Sequence, residues 1–159
     1  MEVRSEDANY FGIGIMQFKR GYNIGTLWRS AHILGASYIF TIGKSYKKQA
    51  SDVLKSWREI PLFHYEDFED FYKHIPYNSR LVGVELDDRA EMLSEYQHTP
   101  RAVYLLGAED NGLPSEVLDK CHEIVQLPGT NSLNVAVAGS IVMYDRVSKL
   151  PTRMPQFKK

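Results

Sequence analysis

The sequence is poor in cysteine, with Cys121 alone among 159 residues. No internal disulfide can form, and a single thiol suits a reducing compartment. Long apolar runs are missing as well: none approaches the ~20 residues that a membrane-spanning helix needs. The opening MEVRSEDANY has no apolar core of the kind a signal peptide carries. The expectation is a cytoplasmic protein with no membrane partner. The five histidines (His32, His64, His74, His98 and His122) fall at no metal-ligand spacing, so no metal is expected. There is no P-loop, no nucleophile elbow and no Ser-His-Asp constellation. Gly12 and Gly14 lie inside an apolar run and lack the third glycine of a dinucleotide fingerprint.

The chain has a globular composition, 43% hydrophobic and 25% charged, and is long enough for one domain with a sizeable core. We expect a single domain over 1–159, with its core at 10–149 and a mobile, Pro-broken tail at 150–159. Net charge is −1, which excludes a uniformly basic nucleic-acid binder. The charge is uneven, however. Residues 1–60 carry 9 Lys+Arg against 5 Asp+Glu, whereas residues 61–159 carry 10 against 15. The excess includes Lys19, Arg20, Arg29, Lys44, Lys47 and Lys48, which form either an ordinary solvated surface or a local face for phosphates.

Strand and helix signals alternate along the chain. YFGIGIM (10–16), SYIFTIG (37–43), IPLFHY (60–65), RLVGVEL (80–86), RAVYLLG (101–107) and EIVQLP (123–128) read as strands. Between them, NIGTLWRSAHIL (23–34) has helical apolar spacing, as do EDFEDFYKHI (66–75), RAEMLSEYQ (89–97), PSEVLDKC (114–121) and 132–149. Such alternation predicts an α/β fold with a mostly parallel sheet and helices on both faces. Ligands of these sheets bind beyond the carboxyl ends of the strands. That rule selects the loops after Met16, Leu106 and Leu127.

Those loops are chemically unusual. The first leads into a helix with Asn23 as its expected N-cap and with Arg29, a surface arginine by default, on a largely apolar helix. The second, LLGAEDNGLP, holds Gly107 and Gly112, which allow close backbone approach. It also holds Glu109, which read alone is an acidic turn residue. In the third, LPGTNSLNVAVAG, Asn131 or Ser132 can cap a helix that shows no polar stripe in its first half and is therefore expected to be buried. Asn134, inside the first turn of that helix, is then a buried amide in need of partners.

Taken in order, the three loops resemble the SpoU (TrmH-like) RNA ribose methyltransferases of the SPOUT superfamily. Asn23, Gly25, Arg29, Ala31 and Gly35 match the family's first motif, and Gly107, Glu109 and Gly112, followed by Leu113 and Pro114, match its second. Ser132, Leu133, Asn134, Val135 and Ala138 match its third. The resemblance covers roughly residues 10–149 and implies a deep trefoil knot in the C-terminal third, an exception to the usual absence of threaded chains. It implies S-adenosylmethionine as cofactor, contacted by Gly107, Gly112, Leu127, Ser132 and Leu133, with Glu85 at the end of LVGVE as a further contact. It also implies a homodimer whose site is completed by the partner's first-motif arginine.

The implied reaction is methylation of a ribose 2′-hydroxyl, with Arg29, Asn23, Glu109, Ser132 and Asn134 as catalytic residues. Arg29 is not expected to act as a base, because a guanidinium stays protonated in proteins. Gripping a phosphate and stabilising a developing alkoxide suit it better. The short Pro128–Ser132 loop and the single domain resemble minimal members of the family, several of which modify tRNA. RNA is therefore the expected partner, tRNA ahead of rRNA, held by Lys19, Arg20, Lys44, Lys47, Lys48 and the basic tail. Three alternatives stay open: methylation of a base nitrogen or a protein, a non-catalytic RNA-binding or assembly factor, and a flavodoxin-like nucleotide binder.

Overall fold

A computed structural model describes residues 9–46, 59–108 and 110–150. Glu109, Lys47, Lys48 and the tail from residue 151 lie outside the described residues. Seven strands form one sheet: β1 (Tyr10–Met16), β2 (Tyr38–Ile42), β3 (Leu62–Tyr65), β4 (Arg80–Val84), β5 (Glu91–Met92), β6 (Arg101–Gly107) and β7 (Glu123–Gln126). Their spatial order is β3-β2-β1-β6-β4-β7-β5, and every neighbouring pair is parallel. Among the described residues the α-helices are α1 (Gly21–Ile33), α2 (Phe68–Lys73), α3 (Ser115–Lys120) and α4 (Val135–Lys149).

The expected parallel α/β sheet, covered on both faces, is what the chain forms. β6 lies at its centre and shows why the strands read as unbroken apolar runs. Ala102, Tyr104 and Leu106 point into the core beneath α1 and α4, while Val103 and Leu105 point into the core beneath α2 and α3. On α1, Ile24, Leu27, Trp28 and Ala31 are buried at helical spacing. Full burial of such a Leu or Ile stabilises the fold by about 1.5–3 kcal/mol. The Trp28 indole N–H donates to the Ile60 carbonyl at 3.0 Å, so its one polar atom is satisfied.

α1 and α4 start side by side and run in the same direction. Successive contacts join Asn23 to Asn134, Leu27 to Gly139 and Ser30 to Ser140. Gly139 permits this approach, since a Cβ there would lie 2.6 Å from Leu27 Cδ1. The far end of α4 is pinned by charge. The buried Arg146 guanidinium donates to the carbonyls of Thr99 and Pro100, each at 2.8 Å, and lies 4.9 Å from the centre of the Phe11 ring. Beside it, buried His98 bonds Tyr104 Oη through Nδ1 and Asp145 Oδ2 through Nε2, both at 2.6 Å.

Two expected helices differ from the structure. Residues 89–97 form β5 and one 3₁₀ turn (Leu93–Glu95) instead of a helix. Asp87 Oδ1 accepts from the Arg89 N–H at 2.8 Å, an Asx-type turn that competes with helix formation. Glu91 and Met92 then pair with Val125 and Gln126 of β7. The last helix begins at Val135 rather than 132, and it is not buried on every side. Val137, Ile141 and Tyr144 are 47%, 38% and 66% exposed along one stripe. Among the described residues, no helix is long and apolar enough to cross a membrane.

Candidate active site

The segments after Val84, Leu106 and Leu127 surround a cavity of about 260 Å³ beyond the carboxyl ends of β4, β6 and β7, and the loop after Met16 reaches its edge through the Lys19–Asp110 contact. Val84, Leu106, Leu127, Val135 and Ala138 give it an apolar lining; Glu85, Asp110, Asn111, Asn131 and Ser132 supply polar groups. An apolar pocket with a few placed polar groups is the usual form of a small-molecule site.

The wall after β6 is tight because of its glycines. The loop folds back so that the Gly112 N–H donates to the Ala108 carbonyl at 3.0 Å. A Cβ on Gly107 would sit 2.4 Å from the Gly112 carbonyl carbon and 2.7 Å from the Leu113 nitrogen, inside the backbone itself. Gly112 has φ +60°, and a Cβ there would meet Glu85 Oε2 at 2.4 Å. The Glu85 carboxylate accepts from the main-chain N–H groups of Leu113 at 2.8 Å and Leu86 at 3.1 Å. Glu85 thereby ties the end of β4 to this loop while lining the cavity.

The third loop forms the opposite side. Ser132 and Leu133 are exposed and line the rim; the Ser132 N–H donates to Asn131 Oδ1 at 2.9 Å. Asn134 is not a buried amide within the helix. It is the exposed N-cap of α4, and its Oδ1 accepts from the N–H groups of Ala136 at 2.9 Å and Val137 at 3.2 Å. Neither Asn131 nor Ser132 fills that position. Asn23, in turn, is not the N-cap of α1, which is Arg20. It lies inside the helix, 3% exposed. The two amides meet, with Asn134 Nδ2 donating to Asn23 Oδ1 at 3.1 Å.

Arg29 stands apart from this cavity. It is exposed on the outer face of α1, where a period of 3.6 residues puts it in one stripe with Tyr22, Thr26 and Ile33. Tyr22 and Ile33 are 49% and 51% exposed. The stripe borders the exposed one on α4, and Thr26, Val137, Ile141 and Tyr144 share a shallow apolar groove between the helices. The site therefore gathers Asn23, Asn134, Ser132, Leu133, Gly107, Gly112, Leu127 and Glu85 at one edge and leaves Arg29 on another surface.

Asp110 is a cavity residue that sequence reasoning passed over. It contacts Lys19 Nζ from the opposite loop, and that ion pair holds its carboxyl below the ordinary carboxylate range. Its place beside Glu109 in the second motif was the only signal. Among the described residues, no group of three or more His, Cys, Asp or Glu could hold a metal ion. The arrangement suits a ligand with one apolar face and a polar edge lying against the main chain at Gly107, Ala108 and Gly112. An adenosine fits that description.

Comparison with known proteins agrees with this architecture. The SpoU rRNA Methylase family model matches residues 11–144. Over 69 residues, 42% of this chain, the sequence is 32% identical to a 23S rRNA (guanosine-2'-O-)-methyltransferase of Acinetobacter baylyi. That match spans 28% of the relative, little more than a quarter of its length. A structure described as giving insight into 2-OH methylation of C/U34 on tRNA superposes with a TM-score of 0.76 at 25% identity. The superposition covers 90% of this chain and 97% of that one. An AdoMet-bound rRNA methyltransferase from Sinorhizobium meliloti superposes with a TM-score of 0.80 at 22% identity, over 90% of this chain and 57% of its own.

Proposed function

Because the chain belongs to the SpoU rRNA Methylase family, we propose that it transfers a methyl group from S-adenosylmethionine to a ribose 2′-hydroxyl of RNA, with tRNA the first substrate class and rRNA the second. The observation that carries this reading is the hydrogen bond between Asn134 and Asn23, which joins the first and third motifs next to the cavity-lining Leu133 and Val135. The near-complete overlap in length with the structure concerned with tRNA methylation supports tRNA over rRNA.

S-adenosylmethionine supplies a methyl group already activated on a sulfonium, so the work left to the protein is alignment. In this reading the main chain at Gly107, Gly112 and Leu127 would hold the adenosine, with Ser132 and Leu133 at the rim of the same cavity. Glu85 keeps the wall in place through Leu113. Asn134 and Asn23 fix the entry of α4, and Ser132 presents a hydroxyl toward the substrate. Glu109 belongs to the same proposal as an orienting group. Arg29 grips the phosphate beside the target ribose and stabilises the oxygen as its proton leaves to solvent.

Arg29 can take that part only if the site is shared. We propose a homodimer in which a second copy covers the exposed stripes of α1 and α4 and brings its own Arg29 to the cavity. The apolar character of Tyr22, Ile33, Val137, Ile141 and Tyr144 supports such an interface. Mixing Arg29→Ala protein with Ser132→Ala protein tests it. Mixed dimers contain one intact site and regain part of the transfer lost by each variant; no recovery would argue against a shared site. The proposal extends to the trefoil knot, for which refolding from denaturant should be slow and insensitive to prolyl isomerase.

The reaction is tested with labelled S-adenosylmethionine and separated tRNA and rRNA that lack the modification. Label in dinucleotides resistant to alkali is the expected result, in the tRNA pool. Label released with mononucleotides would mean base methylation. No label in either pool would favour a non-catalytic RNA-binding factor.

A further inference from the structure

The cations of the first loop carry an anion of the protein's own. Lys19 Nζ contacts Asp110 Oδ2 across the cavity rim, joining the loop after β1 to the loop after β6. Arg20 is near enough to add to the pull of Lys19 on the Asp110 carboxyl, Lys19 contributing the larger part. Lys44 braces the loop from behind: its ammonium donates to the Lys19 carbonyl at 3.0 Å and lies 5.3 Å from the centre of the Phe18 ring. Arg20 is steadied by Tyr22, donating to its hydroxyl at 2.9 Å.

A carboxylate and a phosphate present the same oxygens and the same charge to an ammonium. The Lys19 and Asp110 side chains are 50% and 63% exposed, and a pair so open to water is weakly held and exchangeable. We infer that Asp110 is the resident occupant of a phosphate-docking point formed by Lys19 and Arg20 and braced by Lys44, and that a backbone phosphate of the substrate RNA displaces it. The inference rests on the RNA reading above and gives this corner of the site a role in substrate choice. A lone phosphate gains little by the exchange. A strand already held elsewhere on the protein offers its phosphate at high effective concentration and replaces Asp110 readily. The device thus favours extended RNA over small anions.

The test is fluorescence anisotropy of a labelled oligouridylate, about a dozen nucleotides long, titrated with the full chain in ~0.1 M salt without cofactor. Asp110→Asn is expected to tighten binding roughly three- to fivefold, and Lys19→Ala to weaken it by a similar factor. Lys19→Ala should also lower the slope of log K against log salt by about 0.7, the value for one contact to a single strand. In the double variant, most of the gain from Asp110→Asn disappears. Unchanged or weaker binding by Asp110→Asn, or a gain that persists in full without Lys19, overturns the inference. The assay measures no methyl transfer, so the two readings fail separately. An Asp110 effect in a protein that methylates no RNA removes the enzymatic proposal and keeps the docking point. Methylation with no Asp110 effect does the reverse.

Discussion

The side-chain amides of Asn23 and Asn134, 111 residues apart in the chain, meet at 3.1 Å. Asn134 has two tasks at once: its oxygen caps α4 and its nitrogen reaches Asn23. The start of α4 is therefore placed by α1, and the rim residues Ser132 and Leu133 are placed with it.

Substitution at Asn134 separates those tasks. Asn134→Ser keeps an acceptor at the cap and loses the donor to Asn23. Thermal unfolding should stay within about 0.5 kcal/mol of the parent, while methyl transfer falls at least tenfold. Asn134→Ala loses both, costs about 1 kcal/mol, and lowers the melting temperature by about 2–4 °C. Equal transfer by the serine variant and the parent would show that only the cap matters.

Arg29 is exposed and makes no hydrogen bond or ion pair among the described residues. Arg29→Ala should leave stability within about 0.5 kcal/mol. Transfer should fall about a hundredfold or more if the guanidinium stabilises charge at the reacting oxygen. Calorimetry with S-adenosylhomocysteine should give an unchanged affinity. Loss of cofactor binding in this variant would place Arg29 in the wrong role.

Gly107→Ala drives a methyl group into the Gly112 and Leu113 backbone. The loop must move, at a cost of about 1–3 kcal/mol, and the wall of the cavity moves with it. The expected result is a folded protein, by circular dichroism, that no longer binds S-adenosylhomocysteine. Retained affinity would mean that this wall does not hold the adenosine.

His98 makes the fold acid-sensitive. Burial lowers its pKa below 6.5, with Asp145 acting in the opposite sense and Arg146 and Lys149 adding to the fall. The neutral ring accepts from the Tyr104 hydroxyl and donates to Asp145. An unfolded chain takes up a proton near pH 6.5 that the folded chain refuses. The contribution is therefore complete above that value and is drawn down as pH falls from there toward the lower folded-state pKa. Urea midpoints measured between about pH 7.5 and 5.5 should fall, and His98→Gln should flatten the decline. An equal slope in the variant would assign the acid sensitivity elsewhere.

Much of this architecture is legible in the sequence. The runs 10–16 and 101–107 are the observed β1 and β6 to the residue, because an apolar run bounded by polar residues has few other uses in a parallel sheet. The three motif loops were found where the sheet's carboxyl edge puts them. Other features were hidden for identifiable reasons. RAEMLSEYQ has helical spacing, yet edge pairing with β7 and the Asp87 turn outweigh a weak local preference. Asn23 looked like a cap because a cap and a buried amide use the same residue type. The first half of α4 is apolar on all sides, and periodicity does not distinguish a face covered by its own chain from one left open. Arg146 and His98 find partners up to 136 and 47 residues away, beyond any local pattern.

The side-by-side placement of α1 and α4 also sets an order of events during synthesis. A ribosome delivers α1 about a hundred residues before α4, the helix that packs against it. Until then Leu27 lacks its neighbour Gly139. No cavity exists either, since Val135 and Ala138 form part of its lining. A nascent chain arrested between β7 and α4 carries the arginine and the seven strands but lacks the part of the cavity wall that Val135 and Ala138 form. The cavity is therefore complete only once the start of α4 has settled beside α1.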